Sequence, residues 1–224
     1  MSPRAARAAL LLPVLVVLGA ATGVPAQVFP GETPLDDVLQ IVVLDRELLA
    51  VDARGGSGTR ESLRLGETVL DQRARGQVGV AVTDRRLLAV GASSGSWQVA
   101  DFRKDEVLAG GPQLGERVAL IFTNRRILGF DGGSGNLVES RLGPREQVLG
   151  HAVAANVAVA VTGRRALGLS PFRGGLFEIP LSLYERFEEV RASGNVATVR
   201  TSRRLLTFRA PSGAWGEERL GLGH

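Results

Sequence analysis

One phrase recurs five times along this chain at a nearly fixed interval. "VTDRRLLAV", from Val82 to Val90, returns as "FTNRRILGF" from Phe122, "VTGRRALGL" from Val161 and "RTSRRLLTF" from Arg200. A divergent copy, "VLDRELLAV", starts at Val43. With the residue before each turn as a marker, Leu44, Thr83, Thr123, Thr162 and Thr201 are spaced by 39, 40, 39 and 39 residues. A constant period near 40 means that one supersecondary unit is stacked repeatedly, and this constraint outranks local propensity.

Each unit reads as four short strands. In the second unit "VGVAVT" and "RLLAVG" flank a two-residue connection, Asp84-Arg85. The first connecting residue is Asp45, Asp84, Asn124, Gly163 or Ser202, the polar and glycine types that tight turns select. A second turn, "SSGS", is echoed by "GSGT", "GSGN" and "PSGA", and a third strand begins at Trp97. The fourth is "DEVLAG" from Asp105, echoed by "ETVLDQ", "EQVLG" and "FEEVRASG". "PLSLYERFEEV", from Pro180, has a helical rhythm in isolation, but the repeat assigns it to β structure.

The second strand of the unit is apolar on both faces: Leu88 and Val90 point one way, Leu87 and Ala89 the other. Such a strand lies between two sheets. Four residues before the marker stand Gly79, Ala119, Ala158 and Ala197, small enough for innermost strands converging on an axis; Gln40 breaks the pattern in the first unit.

The N-terminus belongs to something else. Arg4 and Arg7 precede a short apolar run, and Val24 and Ala26 form a small-residue cleavage site. This pattern predicts a secretory signal over 1–26, removed after Ala26, and a single domain over 27–224 that is periplasmic or secreted. The run is short for a membrane span of about 20 residues. The chain has no cysteine, so disulfides and thiol chemistry are excluded. Its 27 basic residues are 26 arginines and Lys104, and loss of Arg4 and Arg7 leaves 25 against 23 acids. That balance excludes the concentrated basic face of a nucleic-acid binder, and any basic patch must come from arrangement.

Five four-stranded units of this length resemble a five-bladed β-propeller, and the resemblance covers the whole mature chain. It is one of architecture, because the Gly-His and Trp-Asp signatures of WD-repeat propellers and the kelch glycine pairs are missing. The single phrase "VTDRRLLAV" also resembles a hairpin of bacterial pleckstrin-homology-like domains, which do not repeat it; an open β-solenoid ranks third. The last unit ends after its third strand at "WGEERLGLGH", whereas "QVFPG", from Gln27, precedes its marker as "EVLAG" precedes Thr123. The N-terminal segment is therefore expected to supply an outer strand to the last blade and close the ring.

In a propeller the arginine-bearing turns share one face. Arg85, Arg125, Arg164 and Arg203, with Arg46, would form an anion-binding ring, since guanidinium grips oxyanions bidentately. The alternative is a structural lock, in which arginines pair with repeated acids: Glu67, Glu106, Glu146 and Glu189 in the fourth strand, Glu61, Glu139, Glu178 and Glu217 in the third. Arg86, Arg126, Arg165 and Arg204 are the better lock members, the turn arginines the better exposed set. On the opposite face Gln77, Arg117, Asn156 and Asn195, with Val38, differ between copies and suit an asymmetric ligand site or plain solvated loops. Trp97 and Trp215 read as packing between blades, and the aromatic turn around Phe172 as local core filling or a partner surface.

Catalysis finds little support. His151 and His224 are the only histidines and have no metal-ligand spacing, so no metal, cofactor or His-based triad is expected. Channel carboxylates, Asp36, Asp37 and Asp71, leave a carbohydrate-active hydrolase as the competing class. The favoured reading is an exported, monomeric or weakly associating module that binds a protein, a glycan or an anionic envelope polymer.

Overall fold

The computed structural model describes residues 38–55 and 58–221, and every regular element among them is a strand. The first sheet holds β1 (Leu39–Leu44), β2 (Glu47–Asp52) and β3 (Gly58–Ser62). The second holds β4 (Val69–Arg75), β5 (Val78–Thr83), β6 (Arg86–Gly91) and β7 (Trp97–Asp101). The third holds β8 (Gln113–Leu114), β9 (Val118–Phe122), β10 (Arg126–Asp131) and β11 (Asn136–Arg141). The fourth holds β12 (Val148–Val153), β13 (Ala158–Thr162), β14 (Arg165–Ser170) and β15 (Gly175–Pro180). The fifth holds β16 (Phe187–Ser193), β17 (Val196–Thr201), β18 (Arg204–Arg209) and β19 (Ala214–Arg219). Each is an antiparallel meander in chain order, and together they make a five-bladed β-propeller-like array.

The phase of the blade differs from the sequence reading. "ETVLDQ" is β4, and it pairs with β5 of the following unit, Arg75 opposite Val78 across the Gly76-Gln77 turn. A two-residue turn holds successive strands together, whereas the longer connection after the third strand carries the chain into a new sheet. The fifth sheet is consequently complete with β16 as its first member, and the sheet with one described strand fewer is the first. The ring-closing segment, Gln27 to Gly31, lies outside the described residues, as does the expected cleavage at Ala26. The small residues Gly79, Ala119, Ala158 and Ala197 lie in the second strand of each sheet, not on an innermost edge. Among the described residues the most extensive contact between strands of adjacent sheets is between two first strands, β12 and β16.

Small side chains there serve sheet-to-sheet packing: a Cβ on Gly79 would stand 2.7 Å from Leu39 and 3.0 Å from Ile41 of the first sheet. Strands β5, β6, β9, β10 and β13 are buried at every position, as two-sided apolar patterning requires. The core comprises four clusters, one for each junction between consecutive sheets. At the first junction Leu39, Ile41 and Leu48 meet Ala81, Leu88, Val90 and Trp97. Trp97 also donates its indole N–H to Thr59 O (3.1 Å), and Trp215 does the same to Phe177 O (2.9 Å), so both tryptophans tie a blade to its predecessor.

Among the described residues the two outermost faces have no such partner cluster. The fifth sheet turns Thr198, Arg200, Thr207 and Arg209 outward beside Val196 and Leu205, where the corresponding faces of β9 and β10 carry Leu120, Phe122, Gly129 and Asp131 beside Val118 and Ile127. Polar outer faces are how stacked repeats end without recruiting further copies.

Candidate functional site

The five hairpin turns and the connections between sheets lie on one edge of the array. Backbone hydrogen bonds place them there: Phe102 N–H reaches Arg85 O (2.8 Å), Leu142 N–H reaches Arg125 O (2.8 Å) and Leu181 N–H reaches Arg164 O (2.7 Å). Each turn is built around its marker threonine. Thr83 Oγ1 accepts the N–H groups of Arg85 (3.1 Å) and Arg86 (2.9 Å) and hydrogen-bonds Glu67 Oε1 at 2.7 Å. Thr123, Thr162 and Thr201 repeat the arrangement. A hydroxyl returning to its own backbone is the local device that stabilises such turns.

The two arginines of the pair then part company. Arg86 is buried, with Nε on Glu67 at 2.7 Å, Nη1 on Glu61 at 2.8 Å and Nη2 on Ser62 O at 2.7 Å, both of the latter in β3 of the preceding blade. Arg126, Arg165 and Arg204 likewise reach back to the carbonyls of Asp101, Arg141 and Pro180. They bind Glu106, Glu146 and Glu185 in the connection and Glu139, Glu178 and Glu217 in their own sheet. The acid that locks the last blade is thus Glu185, not Glu189, which pairs with Arg191. The sequence alignment slipped because Glu189 stands directly before a valine and so imitates the order of "DEVL", whereas the distance to the marker threonine, 16 residues for Glu67, Glu146 and Glu185 alike, selects Glu185.

Burial alone would push the Glu67 carboxyl upward, but Arg86, the Arg64 N–H and Thr83 reverse this and hold it at about 2. For Glu185 the same burial is overcome by Arg204, Thr201 and the Ser182 N–H, again to about 2. Glu106 and Glu146 are lowered by the equivalent contacts against the same burial.

The turn arginines are exposed. Arg85 stands 3.7 Å from Asp84. Arg125 and Arg203, with Arg46, form no ion pair among the described residues, and Arg164 hydrogen-bonds only Pro144 O, at 3.5 Å. Equivalent turns on one edge bring all five together as a row.

Sequence reasoning missed the connections beside them. The residue before each lock glutamate has a positive φ: Gly66 (72°), Asp105 (60°), Arg145 (62°) and Tyr184 (65°). The preceding backbone N–H, from Arg64, Arg103, Gly143 or Ser182, caps the other glutamate oxygen three residues on. A glutamate five residues after each strand end, Ser62, Asp101, Arg141 and Pro180, was the available signal. These bends thrust Leu65, Leu183 and Tyr184 into solvent.

On the opposite edge Gln77, Arg117, Asn156 and Asn195 are also brought to one side, but the backbones of the first three are joints. Gln77 N–H donates to Glu116 O (2.7 Å), Arg117 N–H to Ala155 O (2.9 Å) and Asn156 N–H to Gly194 O (3.0 Å), each in the next blade. Blades touch main chain to main chain here, and a Cβ on Gly115 would stand 2.0 Å from Ala154 O. Arg117 lies over the Phe172 ring at 5.6 Å. Its buried Nε and Asn156 Oδ1 have no hydrogen-bond partner, a donor and an acceptor that a water could bridge.

A cavity of about 670 Å³ separates the third and fourth blades on the arginine edge. It exists because β8 is only two residues long, interrupted by Gly110 (φ 100°) and Pro112, so β12 has no first strand to pack against. Phe122 and His151, ring centroids 5.0 Å apart, form its wall. Asp71 is tied to Arg73 at 3.0 Å, and Asp36 and Asp37 lie outside the described residues. No cluster of metal-ligating side chains occurs among the described residues, and no helix there could cross a membrane.

Fold and edge together define a repeat protein whose chemistry is concentrated in turn-borne guanidinium groups. No protein-family model matches the chain, and no curated protein matches it. Among solved structures it is similar to yeast RCC1 (Prp20) bound to Kap60, at 11% identity and a TM-score of 0.40, over 76% of this chain and 54% of that one. It is also similar to PorZ, a surface component of the Porphyromonas gingivalis type-IX secretion system (15% identity, TM-score 0.37, 83% of this chain and 27% of that one). The WD40 domain of fission-yeast SCAP matches at 12% identity and a TM-score of 0.34, over 84% of this chain and 58% of that one. This chain spans about half the length of the RCC1 structure.

Proposed function

We propose that this chain is an exported, non-enzymatic binding or scaffold module whose turn edge takes an anionic partner. The observation that carries the reading is the division of labour within each arginine pair. One member is consumed by the lock in four consecutive blades, and the other is left exposed with at most a weak local contact. A purely structural repeat has no need of the second guanidinium, and an oxyanion-bearing surface does. Export to the periplasm or beyond follows from the N-terminal pattern and is part of the proposal.

The test is the triple variant Arg85→Gln, Arg125→Gln, Arg164→Gln, assayed for retention on heparin as a soluble polyanion. Retention should move to lower salt with little change in melting temperature, because exposed charges contribute little to stability. A large fall in melting temperature with unchanged retention would return the turn arginines to a structural role.

A further inference from the structure

We infer that the turn edge docks on an anionic lipid bilayer, with its arginines at the phosphate headgroups and a set of apolar side chains in the interfacial layer. This rests on the anion-binding reading above and goes beyond it by naming the occupant. Among the described residues six large apolar side chains are more than half exposed, from Leu149 at 53% to Tyr184 at 81%, and all six belong to this edge. Leu65, Leu183 and Tyr184 come from the connections, and Val107 from the end of one. Leu70 and Leu149 sit at bulges, where the ladder skips from Val69 to Asp71 and from Val148 to Gly150. A bulge re-aims the extra residue out of the pairing. On the opposite edge the most exposed large apolar side chain is Phe172, at 44%.

Charge is segregated in the same way. Outside the lock, the turns and connections of this edge carry ten arginine or lysine side chains against three aspartates, Asp45, Asp84 and Asp105. Two of the ten, Arg64 and Arg103, are paired with Asp101 and Glu139. Each lock arginine is shared between one connection glutamate and one third-strand glutamate, so the four locks hold four positive and eight negative charges. With the locks counted, fourteen positive side chains stand against eleven negative ones on this edge, and the excess is carried by the exposed turn arginines. Tyr184 and Arg145 also hold left-handed backbone, which Gly66 adopts without side-chain strain at the equivalent place.

The pattern of the apolar groups selects a bilayer over a protein. They come one or two per blade with arginines between them, and no contiguous patch forms that could seat a packed hot spot. A headgroup layer receives each side chain separately, and leucine, tyrosine and arginine together are what interfacial surfaces combine.

The experiment is co-sedimentation of the full-length chain with vesicles of equal parts phosphatidylcholine and phosphatidylglycerol, beside vesicles of phosphatidylcholine alone. The apolar N-terminal run is common to all variants, so differences between them report the edge. Binding should be stronger on the anionic vesicles and fall with salt. Leu65→Ser with Leu183→Ser and Tyr184→Ser should weaken it about tenfold or more, as should Arg85→Gln with Arg125→Gln, Arg164→Gln and Arg203→Gln. Only the arginine set should lose heparin retention. Arginine-dependent heparin retention without a preference for anionic vesicles overturns the bilayer and leaves the anion reading standing. Vesicle binding indifferent to the serine set also overturns the bilayer, and absence of both activities ends both readings. Unchanged circular-dichroism melts certify that every variant is folded.

Discussion

The inner blades and the outermost ones are copies of one unit, yet they differ at the faces that meet no neighbouring sheet among the described residues. In the second to fifth blades an arginine, buried in the second and third and half-buried in the fourth and fifth, reaches back to the preceding sheet, at Ser62, Asp101, Arg141 and Pro180. The first blade has Leu44 and Glu47 at the corresponding places, and Glu47 pairs with Arg60 in its own sheet at 2.7 Å. The last blade keeps the lock but turns threonines and arginines outward, with Arg200 paired to Glu188 at 3.0 Å. The lock is therefore a property of the junction, and its residues appear only where a junction exists. Polar groups buried at a junction must be satisfied, and at a free face the same groups gain nothing over solvent.

The largest effect should come from breaking an inner junction. Arg126→Ala leaves Glu106 buried beside an empty site, and urea unfolding should lose about 3–5 kcal/mol. Its counterpart at the free end, Glu47→Ala, should cost under about 1 kcal/mol, because that pair is exposed. Equal losses would mean that the lock contributes no more than a surface pair.

Acid should act on the same contrast. Glu67 and Glu185 stand at about 2 in the folded chain against an ordinary 4.5. A depressed carboxyl contributes stability that is complete above pH 4.5 and drains away as the pH falls toward 2. The loss should be on the order of 3 kcal/mol for each group over that window. Urea midpoints measured across it should flatten when both are replaced by glutamine; an unaltered slope would refute the assignment.

The smallest effect on stability is expected at the outer face of the last blade. Thr198→Val, Arg200→Val and Thr207→Ala give it the apolar character that inner blades bury. The midpoint should barely move, while sedimentation velocity should reveal self-association. A variant that remains a single species would show that the polar residues are not acting as a cap.

Much of this was legible in the residues. The period, the strand pairs around Asp84-Arg85 and the two-sided apolar pattern predicted stacked four-stranded sheets, and the structure has them. The lock role of Arg86, Arg126, Arg165 and Arg204 followed from their place one step inside the strand. The blade phase was misread because a repeat has no intrinsic starting point. Only hydrogen bonding tells that β4 pairs forward with β5, and this moved the small residues off the inner edge and completed the last sheet. Glu185 was missed because the local order of "FEEV" was matched to the other copies in place of the 16-residue distance to the marker threonine.

By itself the sequence determined the unit, its β character and which arginine of each pair enters the lock, because spacing and side-chain polarity are local properties. The tertiary structure alone decided which blade each lock reaches, that Gln77, Arg117 and Asn156 are joints, and that Leu65, Leu183 and Tyr184 share an edge with the turn arginines. Those facts depend on which strands pair across sheets and how connections bend over a neighbour, and residues about forty positions apart meet only once the sheets are stacked.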